Sequence, residues 1–130
     1  MDANVKKVLE NNIWFIATSG EDPHVVPVGF KNVTDDGKLV VGAVFLKETV
    51  NNILNNGKIS VAACDPKSME AYEIVGTAEF VEEGPYVDPY HELAKQMFKG
   101  KLDARGALVI TPKKIVVTSP TPDNKKELPL

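Results

Sequence analysis

The chain has 130 residues, which is the size of one globular domain. Apolar residues make up 43% and charged residues 25%, so the chain can bury a hydrophobic core and is not disordered as a whole. The formal net charge of -3 argues against a nucleic-acid-binding protein, which would be basic.

A short helix and two strands are predicted at the start of the chain. Residues 4 to 12 carry apolar side chains three and four positions apart, which predicts a helix with one buried face. Residues 13 to 18 are rich in β-branched and aromatic side chains and predict the first strand. Residues 24 to 30 predict a second strand, where Pro27 marks an edge or a bulge because it cannot donate a ladder hydrogen bond.

A turn, a buried strand and a helix are predicted next along the chain. Asp35-Asp36-Gly37 is typical of a hairpin turn, and residues 38 to 44 predict a strand that is buried on both faces. The apolar spacing then changes to that of a helix over residues 47 to 57. Thr49 is the predicted N-cap of this helix and Gly57 its C-cap.

The rest of the chain adds three strands and one helix. The strands are predicted over residues 58 to 64, 71 to 81 and 107 to 118, and the helix over residues 90 to 98. The six strands of the whole chain are joined mostly by short turns, which favours antiparallel pairing. A barrel leaves few free edges, so we predict a mainly β fold and a barrel in preference to an open sandwich.

The domain organisation follows from this order of elements. We predict one domain over residues 1 to 118, followed by a loosely held tail over residues 119 to 130 that is rich in proline and charge. Cys64 is the one cysteine, so no disulfide is needed and a cytoplasmic location is expected. The longest apolar stretch, Leu39 to Leu46, is too short to cross a membrane, and no signal peptide is visible.

The segment from Gly42 to Asn52 is the most informative about chemistry. A strand ends there and a helix begins, with Lys47 and Thr49 at the junction. Free N–H groups, a hydroxyl and a lysine together form a phosphate cradle, but a capped helix beside a solvated lysine fits the same residues equally well. Arg105, the one arginine, could reach a pocket, although pairing with a surface glutamate is the favoured interpretation.

Common nucleotide and metal motifs are absent from the sequence. It has neither the Gly-x-Gly-x-x-Gly of dinucleotide-binding folds nor the Gly-x-x-x-x-Gly-Lys-Ser/Thr of phosphate-binding loops. Asp88, His91 and Glu92 could share one helix face, but a solvated face is the favoured interpretation of this acidic region. We therefore predict no metal site.

Five segments, in their order along the chain, resemble the pyridoxamine 5'-phosphate oxidase-like FMN-binding split-barrel family, especially its small single-domain flavoproteins. The resemblance covers about residues 5 to 118 and implies a six-stranded antiparallel split barrel. The segments are Trp14-Phe15-Ile16-Ala17-Thr18, His24-Val25-Val26-Pro27-Val28, Lys47-Glu48-Thr49-Val50-Asn51-Asn52-Ile53, Ile74-Val75-Gly76-Thr77-Ala78-Glu79-Phe80 and Arg105-Gly106-Ala107-Leu108-Val109-Ile110-Thr111.

The resemblance implies a cofactor and its place. In similar proteins FMN lies in a groove at a homodimer interface, and its phosphate is held by a basic residue and a hydroxyl that match Lys47 and Thr49 here. Glu48 belongs to the same segment, and Asn52 falls where a helix asparagine recurs. The flavin ring is expected against two stretches of backbone whose small residues suit a closely approaching flat ring, namely Val26, Pro27, Val28 and Gly42, Ala43, Val44.

The resemblance also implies a function. We expect a flavin-dependent oxidoreductase or electron carrier that acts on a small molecule or a redox partner, with no nucleic acid or membrane involved. A non-catalytic FMN or haem module and a deazaflavin-dependent reductase remain alternatives. True pyridoxine phosphate oxidases are longer and hold the substrate phosphate with basic residues of a C-terminal extension. This chain has no arginine or histidine after Arg105, so we do not expect that reaction.

Overall fold

The computed structural model describes residues 1–100 and 103–130. The described residues form three helices and eight strands, all of whose strand pairings are antiparallel. The helices are α1 (Ala3–Asn11), α2 (Lys47–Asn56) and α3 (Asp88–Phe98). The strands are β1 (Trp14–Ser19), β2 (Pro23–Val28), β3 (Lys31–Val33), β4 (Leu39–Gly42), β5 (Lys58–Cys64), β6 (Ala71–Val81), β7 (Ala107–Val117) and β8 (Glu127–Leu128).

The sheet is curled into a half-barrel. Its strands lie in the order β2-β1-β5-β6-β7-β4-β3, so β2 and β3 are at opposite ends. Only Gly29 and Phe30 separate these two strands along the chain. A connection this short requires the sheet to curl until its two ends are close together. The mainly β, antiparallel fold is thus confirmed, and its form is consistent with a split barrel.

The predicted number of six strands is wrong. The described path has seven strands, and the two-residue β8 pairs with β7 beside it. The additional strand on the path is Lys31–Val33, which forms a hairpin with β4 around the predicted turn at Gly37. Three residues with asparagine in the middle are too short and too polar to give an alternating pattern.

The last residues of the chain fold back on the sheet. Val117 exchanges backbone hydrogen bonds with the segment before β8, because its N–H donates to Lys126 and its carbonyl accepts from Lys125. Ser119 is buried, and its hydroxyl accepts a hydrogen bond of 2.8 Å from the N–H of Ala71. The structure thus shows where the tail lies, while its loose attachment stays a prediction.

The main hydrophobic core fills the inside of the curled sheet. On β1 the buried residues Trp14 and Ile16 alternate with exposed or half-buried ones, as expected of a strand with one face inward. The indole N–H of Trp14 donates to the carbonyl of Leu9 at 2.7 Å, which connects α1 to the barrel. Both α1 and α2 turn their apolar faces to this core.

A second, smaller apolar cluster lies beneath α3. It joins Tyr90 of α3 to residues of β4 and of the segment leading into β7, and its buried members are Val40, Val87, Tyr90, Ala104 and Ala107. This cluster fixes α3 against the sheet at the place where β4 ends.

Among the described residues, no helix combines the length and the apolar character needed to cross a membrane.

Candidate functional site

The junction between β4 and α2 is held in place by backbone pairing with the segment before β7. The N–H of Ala43 donates to the carbonyl of Gly106 at 2.8 Å, and the N–H of Arg105 donates to the carbonyl of Ala43 at 2.9 Å. These bonds continue the β4–β7 ladder by one step beyond Gly42. Arg105, remote in sequence, is therefore brought beside the start of α2.

Helix α2 begins at Lys47, two residues before the predicted N-cap. Leu46 is the N-cap and offers no side-chain hydrogen bond, so the prediction that Thr49 caps this helix is wrong. The first N–H groups of a helix have no partner within it, and they carry the positive end of its dipole. The first turn of α2 thus presents uncapped donors next to the Lys47 side chain. The predicted C-cap Gly57 is confirmed, with a φ of 68°.

A cleft of about 450 Å³ opens at this first turn, and we call it the cationic cleft. Two exposed cations from distant parts of the chain, Lys47 and Arg105, line it together with one carboxylate, that of Asp103. The whole lining consists of Ala43, Val44, Phe45, Leu46, Lys47, Val50, Asp103 and Arg105. The cleft therefore combines a positive charge excess with the positive end of a helix.

Arg105 is held by an aromatic ring and not by a glutamate. Its guanidinium carbon lies 5.5 Å from the centroid of the Phe80 ring. Neither of the ion pairs between described residues involves Arg105, so the favoured surface pair with a glutamate is absent there. Stacking on a ring leaves the guanidinium N–H groups free to bind an anion.

The carboxylate of the cationic cleft already has partners. Asp103 Oδ1 lies 2.7 Å from His91 Nδ1 and accepts a hydrogen bond of 2.8 Å from the N–H of Ala104. The hydrogen bond with His91 lowers the pKa of Asp103 below its ordinary range, and the Ala104 N–H acts in the same direction. Both bonds are made by Oδ1 and favour the ionised carboxylate, so one negative charge lies in the cleft with the two cations.

A second depression, the apolar pocket, adjoins the cationic cleft. It has a volume of about 220 Å³, and none of its lining residues is charged. The lining consists of Pro27, Val28, Gly29, Phe30, Gly42, Val44, Phe45, Leu46 and Phe98. Val44, Phe45 and Leu46 line both depressions, so an elongated ligand can place an apolar part in one and an anionic part in the other.

Thr49 supplies a further observation about the first turn of α2. Its side chain is fully buried, and its hydroxyl is the one buried side-chain polar atom without a hydrogen-bond partner among the described residues. Buried polar groups normally have a partner, because leaving one unpaired costs about 1 to 3 kcal/mol. An unpaired hydroxyl at a helix start fits a site that receives ligand oxygen atoms. Thr49 does not itself line the cleft.

The structure brings together six of the ten expected cofactor-binding residues. Pro27, Val28, Gly42 and Val44 line the apolar pocket, while Ala43 and Lys47 line the cationic cleft.

The other four, Val26, Glu48, Thr49 and Asn52, line neither depression. Val26 packs against the main core, and Glu48 is exposed in the first turn of α2. Asn52 is buried and donates to the hydroxyl of Thr18 at 3.0 Å, which ties α2 to β1. A role for these four residues in cofactor binding stays a prediction.

Several lining residues were not found from the sequence. Phe45 and Leu46 lie inside the segment identified as informative, and two large apolar residues directly before Lys47 were a usable signal in the sequence. Phe30 and Phe98 come from other parts of the chain, and no local pattern indicates that they meet.

Within the described residues, no group of three or more histidine, cysteine, aspartate or glutamate side chains could hold a metal ion.

Comparison with known proteins gives a consistent result. A family model described as pyridoxamine 5'-phosphate oxidase matches residues 1–119. An uncharacterized protein of Methanocaldococcus jannaschii is 36% identical over 124 residues, which cover 92% of this chain and 82% of that protein.

Solved structures show the same architecture. HupZ of Group A Streptococcus has 26% sequence identity and a TM-score of 0.75, and the match covers 92% of this chain and 95% of that one. An FMN-binding protein of Syntrophomonas wolfei has 14% identity and a TM-score of 0.76, with coverage of 89% of this chain and 84% of that one. At this identity the second likeness shows the fold alone.

Proposed function

The chain belongs to the pyridoxamine 5'-phosphate oxidase family, and on that premise we propose that it is an FMN-binding flavoprotein. We further propose that it acts as a flavin-dependent oxidoreductase or electron carrier on a small molecule or a redox partner. The observation that carries this proposal is the pairing of an uncharged apolar pocket with an adjoining cleft that contains Lys47 and Arg105.

The chemistry of FMN matches this pair of depressions. The cofactor has a flat, largely apolar ring system at one end and a phosphate at the other. Backbone and small side chains of β2 and β4, with the phenylalanine rings that also line the pocket, suit the ring. Lys47, Arg105 and the uncapped N–H groups of α2 suit the phosphate, because each presents a donor and positive charge to an anion.

The tasks of this chain's residues follow from their positions. Lys47 and Arg105, which line the cleft, bind and orient the phosphate end. The apolar residues of the pocket exclude water from the ring, which sets how readily solvent and small molecules reach it. When bound, the flavin supplies the redox chemistry, so no side chain of this chain is required as a general acid or base.

We also propose that the protein is a homodimer, with the cofactor at the interface. The outer face of β1 and β2 exposes Phe15 to 51% and Val25 to 62%. Phe15 is the register partner of Pro27, which lines the apolar pocket. A second copy on this face would cover exposed apolar surface and lie directly beside the pocket.

The experiment that tests the proposed function is an absorbance spectrum of the purified protein, followed by mass identification of the released cofactor. A yellow preparation that releases FMN supports the proposal. Apoprotein that does not bind FMN on titration at micromolar concentration contradicts it. A red-brown preparation would indicate the haem alternative, and release of a deazaflavin would indicate the reductase alternative.

A cytoplasmic location is part of the proposal, in keeping with the single cysteine.

A further inference from the structure

Three phenylalanine rings form a row along one side of the apolar pocket. The ring centroids of Phe30 and Phe98 are 6.2 Å apart, and those of Phe45 and Phe98 are 6.5 Å apart. Phe98 stands between the other two, and its ring is nearly perpendicular to that of Phe45, at 83°. Both distances and both tilted arrangements are typical of favourable aromatic contacts. We call these three residues the aromatic wall.

Phe98, the middle residue of the aromatic wall, is carried to the pocket by α3. Phe98 is the last residue of this helix, and the C-cap residue Lys99 that follows it has a left-handed backbone conformation. Near its other end, the hydroxyl oxygen of the buried Tyr90 lies 2.6 Å from Asn32 Oδ1 and 3.2 Å from the carbonyl oxygen of Val40, and its one proton is donated to the nearer acceptor, Asn32 Oδ1. The helix is therefore fixed to the sheet at Tyr90, and its C-terminal end places Phe98 on the pocket.

Core packing does not account for Phe45. Its side chain is 78% exposed, although it is a large apolar group. Its φ of 58° lies in the left-handed region, which is costly for a bulky side chain. An exposed aromatic ring held in an unfavourable backbone conformation, between an apolar pocket and a cationic cleft, points to a ligand that both depressions share.

We propose that Phe98 is a positioning residue for the flavin ring, and that it acts with Phe30 and Phe45 as one side of the ring's binding pocket. This inference rests on the proposed function. The aromatic wall contacts the apolar pocket, whereas Lys47 and Arg105 line the cationic cleft. Phe98 therefore contributes to ring binding and not to phosphate binding, so its effect is the same for a flavin with or without the phosphate.

Titrations of the full-length protein with FMN and with riboflavin, followed by flavin fluorescence, test this proposal. Phe98→Ala is expected to weaken both affinities by the same factor, roughly three- to tenfold, which is the size of one aromatic contact. Phe98→Tyr keeps the ring and is expected to restore the parental affinities. Met97→Ala is the matched control, because Met97 precedes Phe98 on α3, is 63% exposed and does not line the pocket.

The outcomes separate this proposal from the proposed function. A parent protein that binds neither flavin overturns the proposed function. A parent that binds both, together with a Phe98→Ala variant of unchanged affinity, overturns only the role of Phe98. An effect on FMN alone does the same, because it would place Phe98 at the phosphate. Should Phe98→Ala fail to fold, Phe45→Ala replaces it, since truncation of a largely exposed side chain leaves the core intact. Parental affinity of that variant for both flavins overturns the aromatic wall.

Discussion

The ring of Tyr90 occupies the space that a side chain at position 42 would need. A Cβ built on Gly42 would lie 2.6 Å from Tyr90 Cδ1, a distance that real Cβ contacts essentially never show. The small residue at the end of β4 was expected from the sequence to make room for a flavin ring. In the structure the missing side chain admits Tyr90, so that α3 packs closely on the sheet beside the pocket.

Gly42→Ala is therefore expected to destabilise the protein. The added methyl group meets a ring that is buried and hydrogen-bonded, and overpacking of this kind costs about 1 to 3 kcal/mol. Urea denaturation of both proteins measures the change. Gly29→Ala is the control, because a Cβ there would meet only Ile13 Cδ1 at an ordinary 3.9 Å. Equal stability of Gly42→Ala and the parent would contradict the packing described.

Alkaline pH is expected to destabilise the protein partly through Tyr90. Burial raises the pKa of Tyr90 above its ordinary value of 10.0. When the pKa of a tyrosine is higher in the folded than in the unfolded protein, the protonated hydroxyl makes its full contribution to the free energy of unfolding below pH 10. This contribution is lost as the pH rises from the unfolded-state pKa toward the folded-state pKa. Burial also raises the pKa of Tyr72, and a hydrogen bond with Glu70 adds to this, so Tyr72 acts in the same direction.

Denaturation of the parent and of Tyr90→Phe between pH 7 and pH 11 tests this dependence. At neutral pH the variant is expected to be less stable by about 1 kcal/mol, since the hydrogen bond from the hydroxyl to Asn32 Oδ1 is lost. Above pH 10 the difference should narrow, because the variant has no phenol to ionise at this position. Parallel stability curves over the whole range would show that Tyr90 does not couple folding to pH.

Local patterns predicted the elements well, because a strand or a helix repeats its apolar spacing over several residues. Each of the predicted helices and strands is present, with bounds that agree within two residues. Strand β3 was missed because three residues carry too little pattern. Lys47 was identified as a candidate because a helix start is visible in the sequence, and its part in cofactor binding stays a prediction. The sequence did not predict that Lys47 and Arg105 line one cleft, because this depends on the β4–β7 ladder. It did not predict that Phe98 contacts Phe45, because this depends on how α3 packs on the sheet.

Lys47→Ala is expected to weaken FMN binding roughly ten- to a hundredfold, the effect of losing one charge-assisted contact with a phosphate. Riboflavin lacks the phosphate and should bind the variant and the parent alike. Lys67→Ala is the matched control, since Lys67 is an exposed lysine outside both depressions. Unchanged FMN affinity of Lys47→Ala, measured by fluorescence titration, would remove Lys47 from the phosphate site.

The protein is expected to be a dimer in solution, and Phe15→Glu is expected to dissociate it. A charge at Phe15 would be buried without a partner if the outer face of β1 and β2 is covered by a second copy. Light scattering at micromolar concentration measures the mass of both proteins. Lys67→Glu, a charge change at an exposed position away from β1 and β2, should leave the mass of the parent unchanged. A monomeric parent with flavin still bound would contradict a cofactor site at an interface.

The purified protein is expected not to oxidise pyridoxine or pyridoxamine phosphate at a useful rate, although its bound flavin should be reducible. A phosphorylated substrate needs its own anion site beside the ring, because that contact positions the reacting carbon. No residue that lines the apolar pocket is charged, and the cations Lys47 and Arg105 share the one cleft assigned to the cofactor phosphate. Anaerobic dithionite should bleach the flavin absorbance, and oxygen should restore it, since this chemistry belongs to the cofactor. Steady formation of pyridoxal phosphate that is abolished by Arg105→Ala would instead assign Arg105 to a substrate phosphate and make this chain a minimal oxidase of that kind.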